Sequence, residues 1–410
     1  MMNKVMLSAS AIALVAASGA YAQTQVVPAS ERMAADHAPM GVRAGSFLVI
    51  PKVELVETYN DNIYATSTNE ESDFITSVRP EIAARSNWNR HALNAKASAE
   101  FRKFAENSAE DETNFNVAMD GRVDVLRDTS IGGGVAYSRD HEDRGNPNTI
   151  GSPSEPVEYT TKVARIGAYR GLGRANARFD SEVKQLDYKN GVSTTGTAIN
   201  NSVRDRTEYT QTLRLGYQID SRFEAFVKGA LDSRVYDDKS VARSSHGQTY
   251  TAGTAFDISG KTRGEAYVGM TSRNYTGVGR TDIDEPVWGG KVIWNASDLT
   301  TVIGSIDRSI EETTIAGASG FVNTDYRLGV EHALTRDILL KGNVGYLNAK
   351  YEGTVASRDD DSYVAGVGLD YYLNRCLKAG VGYQYTNRES NVAGGDFTRN
   401  AVMLRLSATY

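Results

Sequence analysis

The sequence predicts an all-β fold, a transmembrane antiparallel up-and-down β-barrel of about 18 strands with short periplasmic turns and long extracellular loops. Three observations predict it. From Phe47 to Tyr410, apolar residues recur at every second position in stretches of roughly ten residues. Short and long polar connections alternate between those stretches. After the N-terminus no apolar run approaches the ~18 to 20 residues that a spanning helix needs, so a crossing has to be made by strands whose sheet closes on itself.

Taken in order, residues 1–22 read as a secretory signal peptide, with a positive Lys4, the apolar run VMLSASAIALVAASG and the small-x-small site Ala20-Tyr21-Ala22. Residues 23–46 show neither helical nor strand periodicity and are expected to be a mobile periplasmic lead-in. The barrel occupies 47–410.

Its alternation can be written out strand by strand. Thr76, Val78, Pro80, Ile82 and Ala84 oppose Ser77, Arg79, Glu81, Ala83 and Arg85. Phe115, Val117, Met119, Gly121, Val123 and Val125 oppose Asn116, Ala118, Asp120, Arg122 and Asp124. Ala225, Val227 and Leu231 oppose Glu224, Phe226, Lys228 and Asp232, and Tyr326, Leu328 and Val330 oppose Arg327, Gly329 and Glu331. One face suits lipid; the other carries charge of both signs. The same parity sends Lys96, Arg102, Arg178, Lys184, Arg214 and Arg405 to the lumen. Ionised groups persist there when they meet water or one another, so these residues either line a polar conduit or stiffen the wall by cross-strand pairing.

Short links at 87–90, 127–130, 171–175, 219–222, 259–263, 295–298, 334–337 and 373–376 alternate with longer polar ones near 60–73, 105–112, 140–158, 188–205, 236–248, 274–285, 310–321, 350–362 and 387–397. The last strand, NAVMLRLSATY, must pair with the first. It puts Val402, Leu404 and Leu406 on the lipid face, and Leu404, Leu406 and the terminal aromatic Tyr410 have the pattern of a C-terminal assembly signal. Aromatic residues near strand ends, including Tyr59, Trp88, Tyr236, Trp288, Trp294, Tyr351 and Tyr383, are expected to form interfacial girdles. Acidic runs at 140–143, 282–285 and 359–361 are expected to be solvated loop residues, although three carboxylates together could also hold a divalent cation.

Several function classes find no footing. A net charge of −6 without a dense basic patch argues against a nucleic-acid partner. The lone Cys376 precludes an intrachain disulfide, and there is no GxSxG, HExxH or phosphate-binding loop, so neither enzyme activity nor a cofactor or metal is expected.

The first strand, SFLVIPKVELVETYNDNIYAT, carries Pro51 and runs into Asp61, Asn62, Ile63 and Tyr64. It resembles the opening of a family of outer-membrane β-barrel porins of Gram-negative bacteria. The resemblance implies an outer-membrane protein that assists polysaccharide passage. Exopolysaccharide export through a polar conduit is therefore the first functional expectation. A general or solute-selective diffusion porin is the second, and a surface structural protein or adhesin the third. The partners expected are outer-membrane lipid and lipopolysaccharide, the barrel-assembly machinery and, for export, polysaccharide and periplasmic export components.

Overall fold

The computed structural model describes residues 26–353 and 358–410; the signal peptide expected over 1–22 lies outside them. A helix α1 (Ala29–Asp36) and a short strand β1 (Val42–Ala44) precede the wall. The wall begins with β2 (Phe47–Asn60), β3 (Asp73–Ser86), β4 (Ala92–Phe104), β5 (Glu112–Leu126), β6 (Thr129–His141), β7 (Glu158–Leu172) and β8 (Ala175–Tyr188). A two-strand hairpin, β9 (Gly191–Val192) and β10 (Ala198–Ile199), sits in the next loop. The wall resumes with β11 (Arg206–Gln218), β12 (Phe223–Tyr236), β13 (Ser245–Ile258), β14 (Thr262–Tyr275), β15 (Ile283–Asn295) and β16 (Thr300–Glu311). It ends with β17 (Ala318–Ala333), β18 (Ile338–Gly353), β19 (Asp359–Tyr372), β20 (Leu377–Ser390) and β21 (Phe397–Thr409).

Each wall strand pairs antiparallel with its sequence neighbour, β8 pairs with β11, and β2 pairs with β21 from Lys52–Thr409 to Asn60–Ala401. The sheet is thus a closed barrel of 18 strands. The Tyr410 N–H donates to the carbonyl of Pro51, a residue that has no N–H of its own to donate, at 3.0 Å.

The expected alternation holds. Val78, Ile82, Val117, Val123, Val227, Leu231 and Leu328 stand exposed on the outer face, which is where lipid would cover them. All eight short links are tight turns at one end, and Gly173 and Gly260 supply the positive φ that two of them need. The nine longer connections lie at the other end, which is the extracellular end by the barrel rule.

The lead-in departs from expectation. Its helix is built by the barrel. The first-turn N–H groups that Pro28 leaves uncapped donate to Thr301 Oγ1 (2.9 Å, from Ala29) and to Glu331 Oε2 (2.8 Å, from Ser30). Ala29 and Met33 then bury against Ala333 and Leu339, with Tyr372 packed alongside. An eight-residue helix is marginal alone, so no periodic signal strong enough to announce it is required. α1 therefore lies against the turn-side ends of β16–β18.

Candidate functional site

The predicted lumen residues all lie on the inner face, and most of them pair along the wall. Arg79 meets Glu54 (3.2 Å) and Glu100 (2.8 Å), Lys96 meets Glu81 (3.0 Å), and Arg102 meets Glu112 (2.8 Å). Arg122 meets Asp124 (2.9 Å), Asp120 accepts from Asn94 (3.0 Å), and Arg178 meets Asp180 (2.7 Å). Lys184 meets Glu208 (3.5 Å), Arg214 meets Glu224 (2.6 Å), and Arg327 pairs with Asp325. Arg405, Lys341 and Lys378 share Asp370. Lys228 lies over the Tyr267 ring at 4.8 Å, and Arg85 stays exposed. The wall is a ladder of mixed charge, and cross-strand pairing is its rule.

The passage is narrowed at the extracellular end, by residues that the alternation did not single out. Loop 142–157 leaves β6 and folds inward instead of standing in solvent. Asp143 accepts from Arg399 Nη1 of β21 at 3.1 Å, and Gly145 O accepts from Arg388 of β20. Glu142 is gripped by Arg204, whose guanidinium also covers the Tyr188 ring at 3.9 Å, and Arg144 is paired with Glu110. Asn148 then reaches the connection 312–317: its Oδ1 accepts from Thr313 Oγ1 (2.8 Å) and its backbone carbonyl accepts from Thr314 Oγ1 (2.8 Å). Loop 142–157 and connection 312–317 rise from walls nearly half the ring apart, so together they bridge the mouth.

Burial alone would raise the Asp143 carboxyl. The charge and donors of Arg399, with the Gly145 N–H, outweigh that and hold it at about 2. The acidic run expected to be solvated is thus part of the constriction. Likewise Asp360 pairs with Arg358 and accepts from Ser390. No carboxylate, His or Cys group able to hold a metal occurs among the described residues. A signal for the missed residues does exist: Arg204, Arg243, Arg280, Arg388 and Arg399 all fall at or beside extracellular strand ends, where a solvated mouth has no need of them.

The second half of the bridge is the top of the β16–β17 hairpin. The β15–β16 ladder stops at Gly290–Ile306, whereas β16 stays paired with β17 up to Glu311–Phe321. Above that point the hairpin leans inward. Ile310 and Val322 share the parity of the outward Ile306 and Tyr326, yet they are 6% and 2% exposed because they pack on the inward Tyr275 and Ile283. From the inner wall four strands away, Arg234 of β12 holds Glu312 (2.6 Å) and Ile310 O (3.0 Å), and Tyr236 donates to Glu312 at 2.9 Å. This corrects the girdle expectation for Tyr236, and also for Tyr351, which packs with Ala318 and Ala349. Both are 2% exposed, inside the barrel. Tyr59, Trp88, Trp294, Tyr371, Tyr383 and Tyr410 do stand exposed.

The first-strand motif is a clasp where the ring closes. Asp61 accepts from the Asn400 N–H and Nδ2, both at 2.6 Å. Asn62, fully buried, donates to Thr66 O and Thr398 O and accepts from the Thr66 N–H. Ile63 is buried, and Tyr64 donates to Asn107 while Arg144 stacks over its ring. Leu404 and Leu406 lie exposed on the outer face of β21.

Known structures share this architecture at low identity. The outer membrane protein opdK of Pseudomonas aeruginosa is 12% identical, with 88% of this chain and 99% of that one covered at a TM-score of 0.47. A BenF-like porin of Pseudomonas fluorescens Pf-5 is 9% identical over 88% and 99%, with a TM-score of 0.49. The siderophore receptor PirA of Pseudomonas aeruginosa is 9% identical over 91% and 81%, with a TM-score of 0.45. Among curated proteins none matches. Residues 35–410 match the family described as "Putative beta-barrel porin 2", and the chain belongs to that family of outer-membrane β-barrel porins.

Proposed function

We propose that this porin is a solute-selective diffusion channel for small hydrated solutes. The observation that carries the reading is the bridged mouth: loop 142–157 is strapped to Arg388 and Arg399 by part-buried, charge-assisted contacts and to connection 312–317 by neutral hydrogen bonds. A wall of alternating positive and negative side chains below it replaces part of a solute's hydration shell without committing to one sign of charge. Selection then falls to size at the bridge. Exopolysaccharide export needs the bridge to move aside for a polymer, and its support remains the likeness of the first strand to the family's opening.

Single-channel recording of the purified barrel in planar bilayers tests the proposal. The expected result is conduction without a partner protein, with a larger unitary conductance after residues 144–153 are replaced by a short Gly-Ser link. A barrel that stays silent in both forms defeats it. For export, the decisive observation is a deletion strain whose secreted polymer is lost while small-solute uptake is unchanged.

A further inference from the structure

The inward lean of the β16–β17 hairpin opens the wall beside it, and that opening has its own chemistry. Beyond Gly290–Ile306, β15 is paired only with β14, up to Arg273–Ile283. Continuing the register would set Pro286 opposite Ile310. Pro286 has no N–H to offer, and the Ile310 carbonyl that would have received one is taken from the lumen side by Arg234 of β12. The separation is therefore written into the sequence of β15 and held open from inside. Only side chains cross the split. Arg308 reaches Pro286 O (3.0 Å) and Glu285 (2.6 Å) while stacking on Trp288, and Tyr267 donates to Asp307 (3.0 Å).

At the foot of the split the outer face sinks into a trough of about 720 Å³, within the range of ligand pockets. Small residues form its floor, Gly290 and Gly304 among them, and Ile306, Leu328 and Val344 form its apolar sides. The lumen-facing Tyr267 and Arg327 are among its lining residues. Its outer surroundings are hydrocarbon, which sets the occupant of the apolar part. The polar groups along the split beside it, Glu285, Arg308 and Asp307, suit a head group. We propose that the β15–β16 split is a lateral portal that takes a single-chain amphiphile from the membrane, with the alkyl chain in the trough and the polar head among Glu285, Arg308, Tyr267 and Asp307. This route is separate from diffusion through the mouth.

The test uses the full barrel in liposomes and two dodecyl maltosides, one carrying a photoreactive diazirine at the chain terminus to read the trough and one carrying it beside the head group to read Tyr267, with labelled residues identified by mass spectrometry. Labels are expected on Ile306, Leu328 and Val344 above those on the outer-face residues Val135 and Leu213, together with a label on lumen-facing Tyr267. A Cβ at Gly304 meets open space, so Gly304→Leu fills the trough without a clash. It should lower the trough and Tyr267 labels about tenfold, the scale at which a pocket discriminates by a few methylenes. Val135, Leu213 and the ion conductance should not change. Even labelling of trough and belt, trough labels with Tyr267 silent, or a Tyr267 label that survives Gly304→Leu would each overturn the portal. Should that variant fail to assemble, the smaller Gly304→Val, whose Cβ also meets open space, carries the same test with a smaller expected loss.

Discussion

The strap across the mouth can be loosened by one atom pair. Asp143→Asn keeps the shape of the side chain and removes its charge from Arg399, its partner at 3.1 Å, and from the neighbouring Arg102. Glu142 and Arg144 remain engaged with Arg204 and Glu110. The Asp143 side chain keeps 26% exposure, so solvent screens the pair only in part. A carboxyl moved from 3.8 to about 2 on docking contributes about 2 kcal/mol to docking at neutral pH. Losing that shifts the docked-to-undocked ratio by about thirtyfold. Because the docked value is the lower one, the contribution is complete above the free-loop value of 3.8 and fades as pH falls toward about 2; about half is gone by about pH 3. In single-channel recordings, wild-type open-mouth events should become more frequent as pH drops through that window and stay constant across the neutral range. Asp143→Asn should show about thirtyfold more of them at neutral pH and a weaker dependence on pH in the acid window, where Glu142 and Glu110 still hold the loop. An open probability within about twofold of wild type at neutral pH, or an unchanged acid response, would refute the assignment of the strap to this pair.

Three other substitutions probe separate parts of the molecule. Asn62→Ala strands two carbonyls and an N–H at the ring closure and should cost about 3 kcal/mol, seen as a lower urea midpoint for loss of the heat-modifiable folded band; an unchanged midpoint counts against the clasp. Glu312→Ala leaves Arg234 without its close partner and should free the hairpin top by about 3 kcal/mol, read as new protease cleavage within 312–317. Met33→Asp places a carboxylate against Leu339 and should undock α1, exposing the segment 26–46 to protease added from the turn side while strand content by circular dichroism is preserved.

Much of the barrel was legible because a membrane-spanning strand has two different solvents on its two faces. Period two therefore located Arg79, Asp120, Lys228 and Arg327 on the inner face, and the alternation of short and long links fixed which ends carry turns. The same rule hid the hairpin. Ile310 and Val322 obey lipid-facing parity without flaw, yet they rest on Tyr275 and Ile283. An apolar side chain answers to an apolar neighbour, and the pattern does not say whether that neighbour is hydrocarbon or protein. The bend itself was encoded in Pro286, a residue unsuited to a central ladder, whose meaning depends on knowing that β15 has neighbours on both sides. The constriction was obscured in another way: loop acids such as Glu142 and Asp143 look solvated until the arginines that receive them are brought near, Arg204 by the neighbouring loop and Arg399 by ring closure.

The helix at the other mouth has a consequence for the order in which the protein is made. Its two capping partners lie 272 and 301 residues further along the chain, on strands synthesised near the end. Segment 29–36 has no reason to be helical until β16, β17 and β18 are in place, since loop closure over such a span precedes any gain from the contact. Its ordering is therefore a timestamp: a fluorophore on Ser30, quiet until β16, β17 and β18 are in place, would report their assembly from the side of the membrane where the chain is delivered.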